Sequence, residues 1–422
     1  MFSWLKSRLY RLLRRSERYT KMDMVYLTSG SFWAFVSQFM AAAIALVLAI
    51  IVAHFIPKDA YGTYKYVLAV VGMLATFSLS GIGQAVFQSI ARGFRRSLAD
   101  GFIANLRWSL LIFLGALAVG GYYLFAGNQT LGIGILLGGC LTPFLSSFNL
   151  YTALFNGEKD FKRTALYGGG LTNFIPALAL TTVALTAPTA LNLVIAYFVG
   201  NIAAAAFTYW RGARRYRPAP NAERDPGLLS YGKHLSFMGI LGGIAGNIDQ
   251  LLLFHFGGAI DLAIYNFATA IPDQIKGPLK MIDTMTQARF VNRDTRDIHR
   301  SIYNKMMWLT ITSIVIIGVY IVAAPFIYQW LFPAYRASVP YSQIFVFSLL
   351  SIITYPLNSY LSAHKKIFGQ YGMTIVGSTF QIVAMVFGVV YAGLLGLVIA
   401  RVATRLFVSL TAVYFYRNAI RT

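Results

Sequence analysis

Long uncharged runs alternate with short polar segments along most of the chain, and the length of each run indicates how many helices it holds. A helix needs roughly 20 apolar residues to cross the hydrocarbon core of a bilayer. The uncharged run 108–157 has room for two such helices, which would turn near Gly127, and the run 164–210 has room for two more, which would turn near Pro188. The last apolar stretch would turn near Gly393. Together, all these runs predict twelve membrane-spanning helices.

Basic residues divide the loops between these helices into two groups. Alternate loops and both chain ends hold most of the 36 Lys and Arg, whereas the other loops hold only Lys58, Lys65 and Arg336. Because short loops rich in Lys and Arg remain in the cytoplasm, this asymmetry predicts that both chain ends are cytoplasmic. The segment 1–27 mixes cations with Trp and Leu, as in an interfacial helix that binds anionic lipid of the inner leaflet. A role as a topology anchor fits it equally well.

Composition agrees with an integral membrane protein and argues against several function classes. Hydrophobic residues make up 57% of the chain and charged residues only 12%. The formal net charge of +22 is scattered over separate loops, so it reports topology and does not predict nucleic-acid binding. The single cysteine, Cys140, excludes a disulfide framework, and the five histidines are never at ligand spacing, so we expect no metal and no cofactor. The first apolar stretch lacks a cleavage site and predicts an uncleaved span.

A polar, proline-rich linker divides the chain into two halves of six predicted helices each. A weak internal match at an offset of 201 residues places His54 over His255 and predicts a parallel repeat. We therefore expect an all-α protein of two lobes, related by a pseudo-twofold axis along the membrane normal, with a site between them. The predicted segments are the basic cytoplasmic segment 1–27, the N-terminal lobe 28–210, the cytoplasmic linker 211–231 and the C-terminal lobe 232–422.

The eighth predicted span carries a charged stripe. Asp273, Lys276, Lys280 and Asp283 follow one another at intervals of three or four residues, which places them on one face of a helix. A charge inside a span is costly unless it meets a partner or water. Either this face lines a wet cavity, or Asp273 pairs with Lys276 and Lys280 with Asp283 along the helix. The two interpretations can hold together.

Two arginines in the last span, Arg401 and Arg405, have no acid on their own helix. Counted from Gly393 at about 1.5 Å per residue, they straddle the membrane midplane. They must be met by Asp249 or Asp273 of other helices, or by an anionic substrate. The guanidinium group suits phosphate because its planar fork can bind two oxygens at once. For Asp249 two roles stay open: a structural partner of an arginine, or a carrier of a coupling proton.

Four short motifs occur in order within this twelve-span frame. They are IPKDAYGTY at 56–64, LSGIGQA at 79–85, FNGEKDF at 155–161, and NIDQLLL at 247–253 followed by AIY at 263–265. Together they resemble the polysaccharide-unit flippases of the multidrug/oligosaccharidyl-lipid/polysaccharide exporter superfamily, over nearly the whole chain. Two positions depart from the family pattern. Ala263 replaces a usual Gly, and Gln88 replaces a basic residue, which weakens the case for an anion contact in the first lobe.

The resemblance implies two lobes that enclose a cationic cavity and open alternately to either side of the bacterial inner membrane. The implied cargo is a polyprenyl-diphosphate-linked oligosaccharide, moved from the cytoplasmic to the outer leaflet, with polysaccharide polymerase machinery as a further partner. The residues assigned to diphosphate or acidic sugar are Arg401, Arg405, Lys276 and Lys280, and those assigned to charge pairing or coupling are Asp249, Asp273 and Asp283.

Two other classes of protein share parts of this pattern. A drug exporter of the same superfamily should have an acidic cavity, and the four cations inside the spans argue against one. A membrane glycosyltransferase or polymerase should have a substantial outer loop with catalytic groups. Here each predicted outer connection is short, and the only charges on them are Lys58, Asp59, Asp261 and Arg336. We therefore expect a transporter and not an enzyme.

Overall fold

The computed structural model describes the backbone of residues 24–290, 295–363 and 367–421, and the side chains of 30–277, 302–361 and 372–418 except 31 and 359. The predicted amphipathic segment 1–27 lies almost wholly outside the described residues, and so do the side chains of Lys280 and Asp283.

Within the described ranges the chain is helical and has no β-strand. The helices of the first half are α1 (Met24–Phe55), α2 (Lys58–Ala75), α3 (Ile82–Ala91), α4 (Ser97–Trp108), α5 (Leu110–Phe125), α6 (Gln129–Phe148), α7 (Tyr151–Gly157), α8 (Phe161–Arg163), a π-helix (Thr164–Leu171), α9 (Thr172–Thr186) and α10 (Ala190–Arg215). Those of the second half are α11 (Leu228–Phe290), α12 (Thr295–Leu331), a 3₁₀ helix (Pro333–Ser338), α13 (Val339–Phe345), a second 3₁₀ helix (Val346–Thr354), α14 (Tyr355–Ala363) and α15 (Ile367–Arg421).

Nine described helical stretches are long and apolar enough to cross a membrane, by length and composition. Two of them, Leu228–Gly277 and Gly372–Asn418, are broken by glycines with positive φ, Gly258 at 78° and Gly393 at 54°, so each contains two crossings. The nine stretches therefore give eleven crossings among the described residues. The helices α2 and α3, separated by the irregular segment 76–81, occupy the place of the predicted second crossing, but neither meets the same criteria of length and composition.

The predicted turns are confirmed, but charged residues extend further into the helices than expected. Between α5 and α6, Gly127 has a φ of 82°, and the turn between α9 and α10 falls at 187–189. The third crossing begins at Ser97, well before the predicted residue 108. Lys65, predicted on a loop, lies two turns inside α2, because the helix starts directly after Pro57. The prediction that a span begins only after the last charged residue of the preceding loop is therefore wrong for α2 and for the third crossing.

The helix α2 and the first leg of α11, residues 228–257, run antiparallel and join the two halves. At one end, Gly62 approaches the backbone of Ala259 so closely that an added Cβ would lie 1.8 Å from its carbonyl oxygen. At the other end, the Gly81 N–H donates to the Ser236 hydroxyl at 2.8 Å. Small residues allow this approach, as in other membrane helix pairs. The seam thus holds the halves together from end to end.

Cation-rich loops lie at one end of the bundle, which we call the basic end; the turns at Gly127, Gly258 and Gly393 lie at the far end. At the basic end, the linker is tied to α3. The Asp225 carboxylate accepts from the Ser89 hydroxyl and from Arg92, each at 2.5 Å. The pKa of Asp225 lies below its usual range, mainly because the carboxylate accepts the Ser89 hydrogen bond. The Gly227 N–H and the positive charge of Arg92 lower this pKa further.

Candidate functional site

Two ion pairs connect α11 to the second leg of α15, residues 394–421. Nη1 of Arg401 lies 3.5 Å from Oδ2 of Asp249, and Nη1 of Arg405 lies 2.8 Å from Oδ1 of Asp273. The two arginines are one helical turn apart, and the two acids lie on opposite legs of α11, one on each side of Gly258. The acids that the sequence offered as partners are therefore the partners in the structure.

The first pair lies deep in the protein. Only 4% of the Asp249 side chain is exposed, against 20% of the Arg401 side chain. Oδ2 of Asp249 accepts from the Tyr265 hydroxyl at 2.6 Å, and Oδ1 accepts from the Gln250 N–H at 3.0 Å. Nη1 of Arg401, in contrast, is buried without a hydrogen-bond partner among the described residues. Arg401 is thus neutralised by charge but keeps a donor that the carboxylate does not use.

The second pair is wetter and geometrically better formed. The Arg405 guanidinium reaches both Asp273 oxygens, at 2.8 and 3.2 Å, and also donates to the Ser348 hydroxyl at 2.8 Å. The Phe345 ring lies 4.6 Å from the guanidinium carbon. Exposure is reversed relative to the first pair, since 44% of the Asp273 side chain is exposed against 18% of Arg405. The acid of this pair is therefore the group that water reaches.

The remaining predicted site residues are only partly described. Lys276 is half-buried on α11 beside Gly277. The sequence leaves open a pairing of Asp273 with Lys276 on the same helix. In the structure both carboxylate oxygens of Asp273 contact Arg405 of another helix. Lys280 and Asp283 belong to the same helix, but their side chains lie outside the described residues.

A cation that was not among the predicted site residues lies within α2, in the N-terminal half. Nζ of Lys65 is 5.4 Å from the centroid of the Tyr61 ring and 5.8 Å from that of Tyr64. The Tyr64 ring in turn lies 6.1 Å from that of Tyr197 on α10. A sequence signal for this position existed: Pro57 followed by Asp59 is typical of a helix start, which places Lys65 inside the helix.

A cavity of about 410 Å³ opens at the basic end between α1, the π-helix and α11. Its polar lining includes Ser37, Gln38, Asn156 and Thr164, and its aromatic lining includes Trp33 and Phe161. π-Helical turns are rare and often occur at functional sites. The lining named here is uncharged, which suits hydroxyl-rich ligands.

Comparison with known proteins identifies the fold. The model of a family described as "Polysaccharide biosynthesis protein" matches residues 27–285. An inward-facing multidrug resistance MATE family transporter of the MOP superfamily is 15% identical, with a TM-score of 0.70 over 93% of this chain and 98% of that one. An outward-facing MATE transporter gives 14% identity and a TM-score of 0.64, over 94% and 95% of the two chains.

A third similar structure is a MOP superfamily transporter from Pyrococcus furiosus, described as having a binding pocket of reverse polarity that suggests a different function. It is 14% identical, with a TM-score of 0.63 over 94% of this chain and 95% of that one. No curated protein matches the chain. The predicted all-α, two-lobed membrane architecture is confirmed by these similarities, which at such identities concern the fold alone.

Proposed function

The chain belongs to the polysaccharide biosynthesis protein family, and from that premise we propose that it flips a polyprenyl-diphosphate-linked oligosaccharide across the membrane by alternating access. Family and fold are those of membrane transporters of the MOP superfamily. The observation that carries the finer proposal is the charge balance inside the spans. The charged side chains described in the preceding section comprise four cations and two acids; these are Lys65, Lys276, Arg401, Arg405, Asp249 and Asp273. A net positive interior attracts an anionic cargo.

The arginine pairs offer a way to bind diphosphate without holding it permanently. A phosphate group can replace a carboxylate on a guanidinium group, because each presents two oxygens that accept the paired N–H donors of the guanidinium. On release, the carboxylate returns and removes the cost of an unpaired buried cation. Arg405 and Asp273 suit this exchange, since the acid is exposed to water. The protein's own carboxylates thus keep the affinity moderate on both sides.

The remaining parts of the proposal concern orientation and the sugar. We place the basic end in the cytoplasm of a bacterial cell, at the inner membrane, where cationic loops face anionic lipid. The cavity beside Trp33 and Gln38 then lies at the cytoplasmic entrance and is suited to neutral sugar units. Polymerase machinery would receive the cargo on the other side.

Ion-coupled export of a small molecule is the second candidate. One observation favours it specifically: Asp249 is a buried carboxylate deep in the C-terminal half, and an acid inside a membrane protein is a candidate site for a coupling ion. The fold is similar to that of a multidrug resistance transporter over 93% of this chain, so the fold supports this candidate as well as the first.

The test is transport of a fluorescent polyprenyl-diphosphate oligosaccharide in proteoliposomes. The double variants Asp249→Asn/Arg401→Gln and Asp273→Asn/Arg405→Gln remove both charges of a pair and leave no buried charge unpaired. If the arginines bind phosphate, each double variant loses transport by about tenfold or more, since a charge-assisted contact is worth about 1.5 kcal/mol or more.

The matched control is Arg211→Gln/Arg217→Gln, which removes two exposed cations at the basic end. Wild-type transport by both pair variants would reduce the arginines to structural partners and overturn the proposal. Absence of lipid transport by the folded protein, together with export of a cationic dye driven by a pH gradient, would establish the second candidate instead.

A further inference from the structure

We propose that Lys65, with the hydroxyls of Tyr61, Tyr64 and Tyr197, forms an anion-binding site in the N-terminal half that contacts a phosphate or carboxylate of the cargo. The proposal rests on the transport function above and adds a contact from the half that lacks Arg401 and Arg405. It also supplies an anion contact in the first lobe, which Gln88 had made less expected at the end of α3.

Lys65 differs from both arginines in having no acid. Among the described residues no carboxylate lies within ion-pair distance of its ammonium, whereas Arg401 and Arg405 each have one. A cation inside a membrane helix is costly unless it is compensated. The two tyrosine rings compensate it partly through cation–π contacts. The remaining attraction is available to an anion.

The position of Lys65 on α2 places it toward the other half. Tyr61, Lys65, Leu68 and Gly72 follow at intervals of four, three and four residues and so share one face of the helix. Both ends of this face contact the C-terminal half. The Tyr61 ring lies 5.5 Å from that of Phe267, and an added Cβ on Gly72 would lie 3.1 Å from Oδ1 of Asn247. Lys65, between them, therefore faces the region between the halves.

Depth along the bundle also brings Lys65 level with the charged cluster of the other half. Lys65 lies seven residues from the start of α2 at Lys58, and Arg401 lies eight residues after Gly393, both starts being at the far end. At about 1.5 Å per residue, the two cations are roughly 10 and 12 Å from that end. A diphosphate between the halves can thus meet a cation from each.

The three tyrosines add donors to this site. None of their hydroxyls makes a hydrogen bond with another residue in the described part of the chain, although each ring packs against a neighbouring ring. A tyrosine hydroxyl can donate to a phosphate or carboxylate oxygen. One ammonium and three unused hydroxyls form a donor set for an anion, and contain no acceptor charge that would repel it.

The test measures binding of two probes, inorganic diphosphate and glucuronate, to the detergent-solubilised full chain by calorimetric titration. We expect Lys65→Met to weaken binding of the preferred probe by about tenfold or more, and Lys65→Arg to retain it within about threefold. The matched control is Lys58→Met, which removes a cation from the same helix, 5.6 Å from the Tyr335 ring. Preference between the probes identifies phosphate or sugar carboxylate as the source of the anion.

A second measurement needs no variant: diphosphate should protect the Lys65 amine of the wild-type protein from reductive methylation, while Lys58 stays reactive. Equal binding by Lys65→Met and wild type, or no binding and no protection in the folded wild type, would overturn the site. Because neither measurement requires a lipid carrier or transport, a failure of the flippase proposal leaves this result readable by itself.

Discussion

The two ion pairs have the same chemistry but different surroundings, and we predict that they contribute very differently to stability. At 3.5 Å and an effective dielectric constant of about 20, the attraction between Arg401 and Asp249 is about 5 kcal/mol before desolvation is subtracted. Breaking such a buried pair by removing one partner leaves an uncompensated charge and costs about 3–5 kcal/mol. Asp249→Asn keeps an oxygen for the Gln250 N–H, so the loss reports charge and not shape.

The matched pair is Arg405 with Asp273. Although its atoms are closer, at 2.8 Å, 44% of the Asp273 side chain is exposed, and solvent reduces the contribution of such a pair to about 1 kcal/mol or less. The expected loss of unfolding free energy is therefore about 3 kcal/mol or more for Asp249→Asn or Arg401→Gln, and about 1 kcal/mol for Asp273→Asn. The double variant Asp249→Asn/Arg401→Gln should recover most of the loss.

The assay is reversible unfolding in mixed micelles, followed by circular dichroism. Each ion pair is studied by a double-mutant cycle of four proteins: the wild type, the two single variants and the double variant. A coupling energy that is equal in the two cycles would refute the assignment of burial as the cause. So would a double variant as unstable as its single variants, since the loss would then come from altered packing.

Two other predictions concern the contact between the linker and α3 and the close approach of α2 to α11. The Ser89 hydrogen bond and its neighbours lower the pKa of Asp225 in the folded state, so their stabilisation is present above the unfolded-state pKa of about 4 and is lost as the pH falls through the folded-state pKa. Proteolysis of the linker should therefore rise at acidic pH in the wild-type protein. The variant Asp225→Asn should show this higher cleavage already at neutral pH. Gly62→Ala should cost roughly 2 kcal/mol because its Cβ would collide with the backbone of Ala259, whereas Gly246→Ala, which meets nothing within 4 Å, should change thermal stability by no more than about 1 kcal/mol; equal effects of the two would contradict the close approach.

Much of the architecture could be predicted from the sequence because the bilayer imposes a length on each apolar run. That rule predicts turns near Gly127, Pro188 and Gly393, and the structure confirms all three. The partners of the arginines were narrowed to two acids by charge balance, because a buried guanidinium needs a counter-charge. Which acid meets which arginine could not be predicted, since this depends on how two hairpins, folded at Gly258 and Gly393, pack against each other.

Lys65 shows the limit of the same rule. Span counting treats a charge as the end of a helix and so predicts Lys65 on a loop, whereas in the structure the helix starts directly after Pro57, two turns earlier. Its surroundings are supplied by Tyr197, more than a hundred residues away, and by aromatic packing that no local pattern encodes. A search of the sequence for opposite charges therefore does not detect that aromatic rings compensate the Lys65 charge.

The two halves therefore hold their cations in different ways, and the difference fits the proposed transport cycle. Arg401 is bound to a buried acid that Tyr265 holds in place, so exchange of that acid for cargo requires the cluster to rearrange. Arg405 is bound to an exposed acid and can exchange it through water. Lys65 has only aromatic rings to displace. An anion that enters between the halves would thus meet Lys65 and Arg405 at a lower cost than Arg401, and engagement of Arg401 would require the C-terminal half to change shape, as a carrier that alternates between two openings must.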